Sequence, residues 1–203
     1  MRRLLIALLV LLVLLVGWGA LSHWRHRAVV PPAGVLAPDS PQQDNFGADA
    51  PVLQKGDVTL TTRAHFVVTA RVLSREDYSW GADAKLIPED LALGWGRMSD
   101  SAVLANIKIT QSDRFYYWHV EQFPIPRREI ETSSANMHMI PADAGVKYEL
   151  EHVRVGQVVH FEGFLVDASR PDGWRWKTSM TRDDVGAGAC ELVYVEQFAI
   201  VTP

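Results

Sequence analysis

The sequence contains a single cysteine, Cys190, so no disulfide can form within the chain. It has no internal repeat, and 48% hydrophobic with 22% charged residues is the balance of a folded protein rather than a disordered one. The 7 histidines show no His-x-His or His-Glu-x-x-His spacing, and Cys-x-x-Cys is absent. We therefore predict no metal site and no cofactor from motifs.

Acidic residues are absent from residues 1–27, which hold four arginines. The remaining 176 residues carry the other 16 of the 20 basic residues and all 24 acidic ones, so their net charge is about −8, against −4 for the whole chain. Binding to nucleic acid needs a basic track. The acidic balance therefore argues against nucleic acid and anionic lipid as partners of this part of the chain.

Only one run, Leu4–Leu21, is long and apolar enough to cross a bilayer. A helix of this length spans about 27 Å, and Trp18 and Trp24 near its end suit the membrane interface. We expect residues 1–27 to be an uncleaved, single-pass anchor in the cytoplasmic (inner) membrane, with the C-terminal part outside the cytoplasm. A cleaved signal peptide is the alternative, but the run is long for one and no Ala-x-Ala follows it.

Residues 28–51 contain five prolines and few aliphatic residues, which predicts a Pro-rich linker. Residues 52–203 are enough for one domain with a single core. Here apolar and polar residues alternate, which is typical of half-buried strands. The predicted strands are Ala64–Val72, Arg114–Val120, Val158–Val166, Trp174–Thr178 and Glu191–Val201.

Helix signals in this domain are fewer. Pro88–Asp90 predicts the start of a short helix, Ser99 or Asp100 predicts a cap for Ala102–Asn106, and Pro141 begins a stretch that predicts a helix ending near His152. We expect a mainly β (α+β) fold, either a small barrel or a bent antiparallel sheet with a few short helices.

The stretch from Val155 onwards is similar to the strand, bulge and hairpin of OB-type barrels. It runs through Gly163, which predicts a bulge or bend, into the hairpin that contains Trp174 and Trp176. The similarity covers about fifty residues and includes no diagnostic motif.

The first candidate site is the stretch Ser134–Pro141. If it is extended, Ser134, Asn136 and His138 share one face, and they become candidates for binding a ligand, with His138 as a candidate general base. The alternative is that these side chains only satisfy nearby backbone groups.

The second candidate site lies within residues 178–191. Arg182 and Asp183 precede two glycines and Cys190, which suits either an anion site or a nucleophile. No phosphate-loop pattern is present, and a hairpin connection with a buried, inert Cys190 is the alternative. Trp174 and Trp176 are further candidates for lining a ligand groove, although aromatic rings more often belong to the core.

Three segments, together with the N-terminal anchor, resemble a group of uncharacterised, membrane-anchored bacterial proteins. They are Gly94–Asp100, the Ser-Ala-Asn-Met-His segment at Ser134 and the segment from Arg182 to Glu191, and the resemblance covers residues 85–201. It implies no activity.

Three functions from different classes are therefore considered. The first is an accessory or binding domain tethered to the outer face of the cytoplasmic membrane, with an unknown ligand and an envelope protein as a candidate partner. The second is a small cell-envelope hydrolase that uses His138 with the 182–191 loop. A nucleic-acid-binding barrel is a third, and it predicts salt-sensitive binding.

Overall fold

The computed structural model describes residues 27–81 and 83–201, and this part of the chain is mainly β with three short α-helices. The strands are β1 (Gln42–Asn45), β2 (Val52–Lys55), β3 (Val58–Asp77), β4 (Glu89–Gly94), β5 (Lys108–Ser112), β6 (Phe115–His119), β7 (Ser134–Pro141), β8 (Val158–Ser169), β9 (Arg175–Trp176) and β10 (Glu191–Ile200). The helices are α1 (Ser101–Leu104), α2 (Arg127–Thr132) and α3 (Ala144–His152), and a 3-10 turn covers Gly96–Ser99. The prediction of a mainly β fold with a few short helices is confirmed.

Five strands of the large sheet pair in a cycle, in the order β3, β4, β7, β10, β8 and back to β3. The long strand β3 makes this possible, because Thr59–Arg71 pairs with β8 while Arg71–Asp77 pairs with β4. β7 and β10 run parallel, and the other neighbours in the cycle are antiparallel. β1 and β2 add to β3, and β9 adds to β8, as the predicted hairpin requires.

The main core lies on the inner side of this cycle. The predicted apolar face of β3 is confirmed, since Ala64, Phe66, Val68, Ala70 and Val72 are all buried there. Alternating residues of β4, β7, β8 and β10 complete the core.

Helix α3 packs against this core through Val146 and Leu150. The side chain of Asp143 accepts hydrogen bonds from the backbone N–H groups of Gly145 and Val146 and so caps the helix, which ends at His152 as predicted. The prediction that Asp100 caps a helix is confirmed as well, because its carboxylate accepts from the N–H of Ala102.

The predicted bend at Gly163 lies opposite a bulge in β10. The register between β8 and β10 shifts between Val195 and Gln197, directly across from Gly163. A Cβ at Gly163 would lie 2.0 Å from the carbonyl oxygen of Tyr194. The absence of a side chain there allows the two strands to approach each other.

The prediction that Pro88–Asp90 begins a helix is wrong, because Glu89 begins β4. All six residues of β4 are buried, and the strand pairs with β3 on one side and β7 on the other. A strand buried in this way shows no alternation, and its tertiary pairing overrides the local helix signal of proline followed by acids.

Part of the range 28–51 lies against the domain. The N–H of Val29 donates to the carbonyl of Val155, that of Gly96 donates to the carbonyl of Ala37, and Ala37 is fully buried. β1 also falls within this range and pairs with β3. Within the described residues no helix is long and apolar enough to span a membrane, and the run 4–21 lies outside them.

Candidate functional site

A cavity of about 520 Å³ lies between the β5–β6 hairpin and the loop that leads into β10. We call it the β6 cavity. Its lining includes the whole stretch Phe115–Val120 on one side, Ser134–Asn136 from β7, and parts of residues 182–191. Four of the predicted site residues therefore meet here, namely Ser134, Asn136, Arg182 and Cys190.

The other four predicted residues do not line the β6 cavity. Asp183 is exposed and pairs with Arg128 at 2.9 Å. Trp174 and Trp176 pack on each other over the outer side of the sheet, and His138 contacts Trp176 with ring centres 4.7 Å apart.

Ser134, Asn136 and His138 lie on one face of β7, as predicted for an extended segment, and each of these side chains contacts a polar group. The hydroxyl of Ser134 donates to the carbonyl of Ile130 and lies 2.8 Å from the Tyr116 hydroxyl. Asn136 donates from Nδ2 to the carbonyl of Arg114, and its Oδ1 accepts from Gln111 at 2.7 Å. These contacts hold the β5–β6 hairpin against β7.

The tip of the hairpin is anchored by Arg114. Asp113 and Arg114 both have positive φ, 54° and 71°, which makes the two-residue turn of a twisted hairpin. The Arg114 guanidinium donates to Asp90 at 2.8 Å and to the carbonyl of Ile87, and it lies 3.4 Å from the centre of the Tyr78 ring. These contacts offset the cost of a left-handed backbone at an arginine.

Asp90 is the centre of a buried charged cluster beneath the hairpin. Its side chain is 0% exposed and lies between Arg114 and Nδ1 of His138, which is 2.9 Å from the same carboxylate oxygen. The two atoms are close, but the geometry of the contact does not meet the requirements of a hydrogen bond. The cluster places the carboxylate of Asp90 on β4 beside His138 on β7, and His138 does not line the β6 cavity.

Asp90 and Arg114 were not among the residues predicted from sequence. The available signal was an acid inside the stretch Ile87–Gly94, which is otherwise mostly apolar after Glu89. An acid within a buried strand requires a charged partner, but the helix prediction at Pro88 concealed this requirement.

Cys190 is enclosed between Asn136 and the hairpin. Its Sγ lies 3.8 Å from Nδ2 of Asn136 and 3.9 Å from the carbonyl oxygen of Arg114. Burial raises the pKa of this thiol to about 11. At neutral pH it is therefore a protonated thiol, which is a poor nucleophile.

Arg182 and Glu191 form an ion pair where the β6 cavity meets the core. Nε of Arg182 lies 2.7 Å from a carboxylate oxygen of Glu191, whose side chain is 1% exposed. The guanidinium also lies 5.4 Å from the Phe66 ring centre. Burial raises the pKa of Glu191 to about 8, and this outweighs the opposing effect of Arg182.

This pKa predicts a pH-dependent stability. Between about pH 5 and 8 the folded protein holds a proton on Glu191 that the unfolded chain releases, so the free energy of unfolding falls as the pH rises. Glu191→Gln has no such proton, and its melting temperature should decline less over this range than that of the wild type. Thermal unfolding of the full-length protein at pH 5, 6, 7 and 8 measures the difference.

The matched control is Glu121→Gln, at an exposed glutamate. This variant should follow the wild-type profile. If Glu191→Gln and the wild type lost the same number of degrees between pH 5 and 8, the proton would not reside on Glu191.

Within residues 27–81 and 83–201, no group of three or more histidine, cysteine, aspartate or glutamate side chains is arranged to hold a metal ion. The chain matches no protein family model, no curated protein and no solved structure. Its function is therefore argued from the geometry of the β6 cavity and the strands around it.

Proposed function

We propose that the chain is a binding domain, anchored in the cytoplasmic membrane by residues 4–21 and held outside the cytoplasm, whose ligand occupies the β6 cavity. The observation that carries this proposal is the cavity itself. Its volume of about 520 Å³ is within the range of ligand sites, and its lining combines aromatic and apolar residues with eight polar or charged ones.

The strand cycle supports a finer description, that of an OB-type barrel. Such barrels have five strands in a partly open Greek-key arrangement, and they bind ligands on the face of the second and third strands and at the loops that join the first to the second strand and the fourth to the fifth. Here β3, β4, β7, β8 and β10 are those strands in chain order. The β6 cavity lies between β7, the third of them, and the loop from β8 to β10.

Binding is favoured over hydrolysis by the placement of the candidate catalytic groups. His138 is held by Asp90 and Trp176 and does not line the cavity that Arg182 and Cys190 share. The raised pKa of Cys190 keeps the thiol protonated, and Arg182 lies against Glu191. No pair among these residues brings an activated nucleophile to a general base.

The single cysteine of the chain makes the proposal testable, because Cys190 lines the cavity. The full-length protein, solubilised in detergent, is alkylated with N-ethylmaleimide and followed by intact mass. Four probes are added in turn: indole, N-acetylglucosamine, a pool of capped hexapeptides of uncharged residues, and a thymidine hexanucleotide. We expect at least one probe to slow the alkylation in a saturable manner.

The control for this experiment is a variant whose single cysteine lies at another position. Cys190→Ser combined with Ala105→Cys places one exposed thiol at the end of α1, outside the cavity lining. The probe that protects Cys190 should leave this thiol unprotected. The proposal is overturned if none of the four probes, at millimolar concentration, protects Cys190 more than the control thiol.

A further inference from the structure

One side of the β6 cavity is the edge of a strand. Six consecutive residues, Phe115–Val120, line it, whereas no residue of β5 does. Side chains of a strand alternate between its two faces, so a surface that meets all six must run along the backbone edge. The cavity therefore lies beyond β6, on the side away from β5.

The register of the hairpin identifies the backbone groups on this edge. The two-residue turn makes Ser112 and Phe115 a hydrogen-bonded pair, and such pairs alternate with non-hydrogen-bonded pairs along an antiparallel ladder. Tyr116 and Trp118 belong to the second type, facing Gln111 and Ile109. Their N–H and C=O groups consequently point away from β5.

Within the described residues, β5 and β6 form a sheet of two strands only. The outward backbone groups of Tyr116 and Trp118 therefore have no strand partner. An edge of this kind is the element to which proteins add an extended peptide as a further strand, with backbone hydrogen bonds giving affinity and side-chain contacts giving specificity.

The charges that line the cavity favour an uncharged occupant. The lining holds two arginines, Arg127 and Arg182, against three carboxyl groups, Glu131, Asp184 and Glu191, so cations are not in excess. Arg127 also pairs directly with Glu131 at 2.8 Å. A polyphosphate backbone would meet no excess of cations here, whereas an uncharged peptide backbone can pair with the outward N–H and C=O groups of Tyr116 and Trp118.

The side chains beside the edge suit apolar peptide residues. Phe115 and Tyr117 project from one face of β6, with ring centres 6.4 Å apart, and both are partly exposed. Val185 across the cavity is 64% exposed. An added strand that places apolar residues at alternate positions would cover these three side chains.

We propose that the ligand of the β6 cavity is an extended, uncharged peptide segment with alternating apolar residues, which pairs with the outer edge of β6 as a third strand. The inference rests on the proposed function, since it names the ligand class of the same cavity. It also predicts which atoms of the peptide and of the protein take part.

The test uses N-methylated peptides. The best binder from the capped hexapeptide pool is resynthesised in two forms, methylated on alternate backbone nitrogens, so that each form loses the donors of one edge only. In strand addition one edge faces β6 and the other faces away. One form should therefore bind at least about tenfold more weakly, while the other keeps the affinity of the parent peptide.

Hydrogen exchange of the full-length protein gives a second readout. The amides of Tyr116 and Trp118 should become protected when the parent peptide binds, whereas those of Tyr117 and His119, which face β5, should change little. Equal binding of the two methylated forms, or no protection at Tyr116 and Trp118, would overturn the inference.

The two proposals fail in different ways. If indole, N-acetylglucosamine or the hexanucleotide protects Cys190 and no peptide does, the ligand class inferred here is wrong and the binding function stands. If no probe protects Cys190, the binding function itself is wrong.

Discussion

Replacing Asp90 with asparagine is expected to lower the free energy of unfolding by about 3–5 kcal/mol. The carboxylate is fully buried and lies 2.8 Å from the Arg114 guanidinium, whose side chain is only 18% exposed. Without the negative charge, Arg114 remains as a largely buried cation with no ionic partner, and the hairpin that lines the β6 cavity loses its anchor. Chemical unfolding of the full-length protein, followed by tryptophan fluorescence, measures the change.

Asp183→Asn is the matched control, because it also removes an aspartate that is paired with an arginine. Both side chains of this second pair are mostly exposed, so the expected loss is below about 1 kcal/mol. If Asp90→Asn does not fold, Asp90→Asn combined with Arg114→Gln removes both charges and should recover part of the stability. Equal losses for Asp90→Asn and Asp183→Asn would show that burial does not matter to the pair.

Replacing Gly163 with alanine is expected to cost about 3 kcal/mol or more. The new methyl group would lie 2.0 Å from the carbonyl oxygen of Tyr194 and 3.1 Å from the backbone nitrogen of Glu196. Both atoms belong to the backbone of β10 and cannot rotate away, so β8 and β10 must separate at the bulge. The melting temperature of the full-length protein should fall by about 6 °C or more.

Gly47→Ala provides the comparison, since a Cβ at Gly47 meets no atom within 4 Å and its φ is not in the left-handed region. Its stability should stay within about 0.5 kcal/mol of the wild type. If Gly163→Ala had the same melting temperature as Gly47→Ala, β8 and β10 could separate at the bulge at little cost in stability.

The strands that alternate between two environments could be predicted from the sequence. β3 and β8 each have one face toward the core, so their apolar residues recur at every second position. Helix α3 was likewise predictable, because Asp143 is a good cap and Val146 and Leu150 share one face. These signals are local, and a single sequence shows them directly.

β4 could not be predicted in this way. It is buried on both faces, so it has no alternation, and the Pro88 and Glu89 pair gives a local signal for a helix. Its true environment is set by β3, which precedes it across an irregular connection, and by β7, which follows the β5–β6 hairpin. Only long-range pairing makes these residues a strand.

The candidate site also combines features that the sequence predicts with features that depend on contacts distant in sequence. The shared face of Ser134, Asn136 and His138 followed from the two-residue period of a strand. In the structure these side chains have different surroundings. Asn136 is hydrogen-bonded to Gln111 and Arg114 of the hairpin, whereas His138 lies beside the carboxylate of Asp90. Neither contact can be inferred from the stretch Ser134–Pro141 alone. The sequence therefore could not show which residues of this stretch share a cavity with Arg182 and Cys190.

The hydrogen bond between Val29 and Val155 sets a limit on where the protein can act. With the run 4–21 as the anchor proposed above, only residues 22–28 join the bilayer to this docked point, a reach of at most about 25 Å. From there β10 extends about 30 Å to Glu191 at the β6 cavity. On that proposal the cavity stays within a layer on the order of 60 Å deep beside the membrane. A peptide segment carried by a neighbouring protein in the same membrane would then lie within its reach.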